Sequence, residues 1–278
     1  MATLDGTAGA DRTARRLIVP AGIAELLSAQ GWAFWVAALA GVTILGLAKG
    51  GFAGLGVLGL PIMTLGMNPV MGAAILLPIL LVQDVFSMKA FGGHRNDDVL
   101  KLMIPGACIG ITAGWALARF VPVAAVELAV GLIAFSFGIQ RIRAERRGVA
   151  GRPGGALAGV AMGAAAGFTS QIAHAGGPPF QMHVLPMKLP RDMFIGTSTV
   201  FFAVINWIKV PAYYALGAFT PANLWLAVAL MPAALLATWA GTVLVRRIDG
   251  PRFYAMMHAL MIMVGGKLTW DGLASLLA

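Results

Sequence analysis

Charge is scarce in this chain, and acidic charge scarcest of all. Only 11% of its 278 residues are charged and Asp and Glu together number 11, against roughly 25% charged residues in a soluble domain. With 59% hydrophobic residues, there is too little polar surface to cover a soluble core, so a water-soluble domain is excluded. Cysteine is almost missing: Cys108 stands alone inside an apolar run, which excludes an internal disulfide and any cysteine-based metal cluster. The histidines, His94, His174, His183 and His258, show no metal-ligand spacing. Neither Gly-x-Ser-x-Gly, His-Glu-x-x-His nor a Walker loop occurs, so the sequence predicts no enzyme, no metal site, no cofactor and no ATP-driven pump.

Long apolar runs are what the chain does have. They recur at 32–48, 69–91, 99–119, 122–140, 155–173, 193–216, 221–245 and 252–277, each long enough to cross a hydrocarbon core of about 30 Å. Backbone groups in lipid must be satisfied internally, and a barrel would need alternating strands of about ten residues, so these runs predict an all-α polytopic membrane protein. The formal charge of +9 is scattered through short connections, which argues against nucleic acid as a partner and for the lipid bilayer.

The most basic connection, "RIRAERRGVAGRPGG" at 141–155, divides the chain nearly in half, and the positive-inside rule places it in the cytoplasm. The organisation expected is a cytoplasmic tail or interfacial helix at 1–31, a first membrane repeat at 32–142, a basic cytoplasmic linker at 143–154 and a second repeat at 155–278. Gly46 and Gly50 match Gly163 and Gly167 at an offset of 117, Pro69 matches Pro190 at 121, and Asp84 falls opposite Asn206 at 122. Orientation stays open at this point. With eight crossings the basic "RRIDGPR" at 246–252 would face outward against the rule, unless a re-entrant segment changes the count; the same question decides between parallel and inverted repeats.

Both repeats carry a break rich in glycine and proline. The first, "ILGLAKGGFAGLGVLGLPIMTLG" at 44–66, contains a literal Gly-x-Gly-x-x-Gly, but no strand precedes it, so a dinucleotide loop is excluded. Backbone N–H groups at Gly50, Gly51, Gly54 and Gly56 can converge on an anion, and Lys49 adds a full positive charge. Close helix packing through small residues is the competing reading. The second, "GFTSQIAHAGGPPFQMHVLP" at 167–186, offers donors at Thr169, Ser170, Gln171 and His174, with Gly176 and Gly177 before the Pro178–Pro179 helix start.

Two further polar positions interrupt long spans. Gln83 and Asp84 sit inside "AAILLPILLVQDVFSM", where an ionised carboxylate is expensive and is a candidate for pairing with Lys49 or carrying a coupling proton. Asn206, its counterpart, is a candidate for binding substrate. Lys209 reads as snorkelling to the interface and Trp207 as part of an aromatic belt.

Taken together, "GLAKGGFAGLGVLGLP" with "VQDV", and the second break with "GTSTVFFAVINWIKVPAY", resemble the TauE/SafE sulfite exporter family over nearly the whole chain after the tail. The first loop departs from the family's more continuous glycine run at Phe52, Ala53 and Leu55. The resemblance implies an inner-membrane secondary carrier for small sulfur-containing anions, driven by protons, with a homo-oligomer among the assemblies it admits. The alternatives left open are an anion channel and a permease for another small anion such as a carboxylate.

Overall fold

The computed structural model describes residues 25–118, 120–147 and 154–277. The first half comprises α1 (Trp32–Lys49), a 3-10 turn (Ala53–Leu58) leading into α2 (Gly59–Met63), α3 (Pro69–Phe91), α4 (Asp97–Leu117) and α5 (Val123–Arg146). The second repeats the order with α6 (Ala156–Ala173), α7 (Gly177–Val184) and its 3-10 turn (Leu185–Met187), α8 (Arg191–Ala215), α9 (Pro221–Arg246) and α10 (Gly250–Leu277). Eight of these helices are long and apolar enough to cross a membrane, as the apolar runs predict, and no strand occurs among the described residues.

Local chemistry sets where the helices begin. The Asn68 side chain accepts from the Met71 N–H at 2.8 Å with Pro69 at the first position. Asn96 caps α4 by accepting from the Asp98 and Val99 N–H groups, with both aspartates in the first turn. Each arrangement satisfies donors the helix cannot satisfy itself and complements the positive end of its dipole.

Glycine contacts trace the path through the bundle. After α1 the chain doubles back: a Cβ on Gly56 would face Ala48 at 3.5 Å, one on Gly59 would face Leu45 at 3.3 Å, and one on Gly66 would meet Ala33 and Phe34 near the start of α1. The second half does the same, with Gly176 against Ser170 and Ala166, and His183 beside Gly159. Both broken segments therefore traverse the bundle, so each half makes five passes rather than four.

An odd number of passes turns the second half upside down. Helices at equivalent positions run antiparallel: Gly131 faces Thr269 and Gly265 while Gly138 faces Ile262, across α5 and α10. The first helix of each half packs parallel to the fourth helix of the other, Gly46 and Gly50 against Ala237 and Gly241, and Gly110 and Gly114 against Ala164 and Phe168. The repeats are thus inverted. The same geometry brings the connections at 92–96, 147–155, 185–190 and 247–249 to one end of the bundle, which removes the conflict posed by the basic 246–252 loop.

Three boundaries shift. α1 and α6 end at Lys49 and Ala173, 124 positions apart, so the glycine match at 117 is two helical turns out of register, whereas Asp84 and Asn206 remain equivalent. α5 continues to Arg146, because the arginines after Gln140 form another turn before Gly148, so the linker begins later than residue 143. Trp32, where the N-terminal tail joins, lies at the opposite end from the basic linker, so the two cannot both be cytoplasmic; residues 1–24 of that tail lie outside the described residues.

Candidate functional site

The two breaks meet at the centre. In the first, Gly51 adopts φ +134°, which side chains rarely reach. In the second, His174 ends α6 in the left-handed conformation at φ 52°, and the Ala175 N–H closes back on the Thr169 carbonyl at 3.1 Å. A non-glycine residue there carries strain of roughly 1–2 kcal/mol, and it turns the imidazole into the interior. The break is anchored from behind by Phe180 of α7, fully buried and stacked on Phe201 of α8 at 5.0 Å between centroids.

Between the breaks lies a cavity of about 80 Å³, room for more than one water molecule. Lys49, Gly51 and Gly56 line it from the first break, Ser170, His174 and Gly177 from the second. Helix α8 supplies the remaining polar wall with Ser198, Thr199, Asn206 and Lys209, spaced at helical intervals along one face, while Trp207 and Tyr214 point outward and are exposed. A larger cavity of about 340 Å³ lies between α5, α6 and α7. Its lining is apolar apart from Thr169, so size does not make it the site for a polar ligand.

Asp84, 1% exposed, organises the charges. Its Oδ1 forms an ion pair with Lys49 Nζ, and its Oδ2 accepts from Asn206 Nδ2 at 2.8 Å. Three residues on, Ser87 Oγ donates to the Lys49 carbonyl at 2.9 Å. The inverted half mirrors this: Lys209, three residues after Asn206, sets Nζ 3.2 Å from Ser170 Oγ and 3.5 Å from the Ser170 carbonyl at the end of α6. Tyr213 Oη lies 3.4 Å from His174 Nε2.

Lys209 departs from the expectation of a snorkelling residue. It is 1% exposed, and no carboxylate pairs with it among the described residues. Its neighbours explain why: spacings of three and four from Asn206 and Tyr213 put it on the inner face of α8, away from the lipid. Lys49 and Lys209 contribute two positive charges and Asp84 one negative charge, which leaves the cavity wall at +1. A buried cation without a counter-ion is costly, so an anion in this cavity restores the balance.

The residues singled out in the sequence are divided by the fold. Lys49, Gly51, Gly56, Ser170, His174, Gly177 and Asn206 come together at the cavity, with Asp84 bonded to two of them. Gly50 is packed against Gly241, where a Cβ would stand 2.6 Å from backbone, and Gly176 closes on Ala166 and Ser170. Gly54 faces Leu260. Gln83 donates to the Ala234 carbonyl at 3.1 Å, turned toward α9. Gln171 lies along Gly114 of α4, and Thr169 is spent on backbone, 2.8 Å from the Ala165 carbonyl. Ser198, Thr199 and Lys209 were not singled out, although their spacing from Asn206 is visible in the sequence.

Comparison with curated proteins and with solved structures finds no match. A family model does match, covering residues 35–268, and so includes both breaks, both central helices and every residue that lines the charged cavity. The chain belongs to the sulfite exporter TauE/SafE family, membrane transporters of sulfur-containing anions rather than enzymes.

Proposed function

We propose that this protein is a secondary active transporter that exports a small sulfur oxyanion, such as sulfite or a small sulfonate, through the cell inner membrane at the expense of the proton gradient. The observation that carries the reading is Lys209, a fully buried cation with no carboxylate partner among the described residues, facing the cavity that Lys49 and His174 also line. The anion sits between the breaks, held by Lys209 and Lys49 with the Ser198 and Thr199 hydroxyls, and Asp84 carries the coupling proton. Movement of the inverted repeats about this fixed site alternates its access. The arginine-rich end of the bundle faces the cytoplasm, in keeping with the positive-inside rule.

The test is thermal stabilisation of the purified protein by an anion panel at matched ionic strength, followed by flux in proteoliposomes. A ligand bound only by the folded state stabilises it by about 2.7 kcal/mol at a hundred times its Kd. Selective stabilisation by sulfite or a sulfonate, lost in Lys209→Met, is the expected result. Stabilisation by carboxylates alone would assign a different cargo, and flux that neither saturates nor accumulates substrate would make the protein a channel.

A further inference from the structure

The arrangement around Asp84 sets how many protons travel with each anion, an inference that rests on the anion-binding reading above. Every charged or titratable group facing Asp84 enters the count. Lys49 reaches it from α1 and Asn206 from α8; Lys209 of α8 and His174 of α6 line the same cavity. From α9 only neutral groups approach, Thr238 and the Ala234 carbonyl that receives Gln83. With Asp84 ionised, Lys49 is neutralised by its partner and Lys209 alone is unopposed, so the wall at +1 matches one negative charge.

A dianion brings one negative charge too many. Burying that excess in a low-dielectric site is costly, and the wall has one place to absorb it. A proton on Asp84 removes the carboxylate, releases Lys49 from its pair, and raises the wall to +2. Asn206 suits both states: its amide turns Nδ2 to a carboxylate, as here, or Oδ1 to a carboxylic acid O–H. A carboxylate in its place would hold the pair in one state, and an apolar residue would leave Asp84 unsupported.

We propose that the site conserves charge: a dianion binds together with one proton on Asp84, whereas a monoanion binds with Asp84 ionised and takes up none. The loaded site is neutral either way. Sulfite, which exchanges a proton in water near neutrality, is then bound with the same composition whether it arrives as the monoanion or as the dianion plus a proton.

The experiment counts protons in the purified full-length protein, by titration calorimetry in buffers of different ionisation enthalpy. Sulfate and thiosulfate serve as fixed dianions and methanesulfonate as a fixed monoanion. The expected result is uptake of one proton per dianion and none per methanesulfonate, with dianion affinity falling about tenfold per pH unit above the titration of the coupled group and methanesulfonate affinity flat. Asp84→Asn is expected to abolish uptake and to favour dianions; His174→Gln is expected to leave uptake intact. Equal uptake for both anion classes, none for either, or loss of uptake in His174→Gln would overturn the inference, and the wild-type pH series decides it even where Asp84→Asn does not fold. Failure of every anion to bind would instead remove the function proposed above.

Discussion

Asp84 Oδ2 and Asn206 Nδ2 are hydrogen-bonded at 2.8 Å although 122 residues separate them. They occupy equivalent positions on α3 and α8, and the contact joins the inverted halves at the level of the cavity. Two aspartates facing each other there would repel; one aspartate and one asparagine give a bonded pair that also holds Lys49. Asn206→Leu leaves the carboxylate short of a donor and is expected to lower stability by about 1–3 kcal/mol, seen as a reduced melting temperature. The double exchange Asp84→Asn with Asn206→Asp should recover much of that loss while altering flux, because the carboxylate is then displaced relative to Lys49.

Lys209→Met separates binding from folding. It removes an unopposed buried charge while keeping the long side chain, so the melting temperature without ligand should not fall. Stabilisation by the transported anion should disappear. A lower melting temperature with intact anion response would show that Lys209 serves the scaffold.

The glycines are expected to fall into two groups. Gly50→Ala places a methyl 2.6 Å from the Gly241 backbone, and Gly110→Ala drives one into the Ala164 carbonyl; both should destabilise by roughly 1–3 kcal/mol through overpacking. Gly56→Ala has 3.5 Å to Ala48 and lies on the cavity wall, so it should fold with near-normal stability and carry less substrate. Thermal melts beside flux assays on the same preparations distinguish the groups.

Arg191 ties the basic end together. Its guanidinium donates to the Arg246 carbonyl at 3.2 Å and the Ile248 carbonyl at 2.5 Å, groups left open where α9 ends. Arg191→Ala should cost about 1.5–3 kcal/mol, the range for hydrogen bonds to a charged group, and Arg191→Lys should recover only part of it because an ammonium cannot fork across separate carbonyls.

Inverted repeats make a topological prediction that needs no substrate. In a Cys108→Ser background, cysteines placed at His94 and Asp249 should react with an impermeant reagent from one side of the membrane, and one at Ala218 from the other. Labelling of positions 94 and 249 from opposite sides would mean that a broken segment does not complete its pass.

Composition and apolar run length determined the membrane setting, the helical class and the eight long spans, because lipid leaves a backbone few other ways to satisfy its hydrogen bonds. The breaks were also legible, since glycine and proline act locally. Which of their polar groups face one another was not. Gln171 and Ser170 are neighbours in the chain, yet one lies along α4 and the other bonds Lys209, and that choice follows from helix rotation against packed partners. The length of the broken segments looked too short for a pass, so only their contacts with α1 and α6 settled ten passes over eight and inverted repeats over parallel ones. Lys209 reads in sequence as a basic residue near a helix end; the tertiary fold, by setting its face of α8 toward Ser170, decided that its charge is buried and in need of an anion.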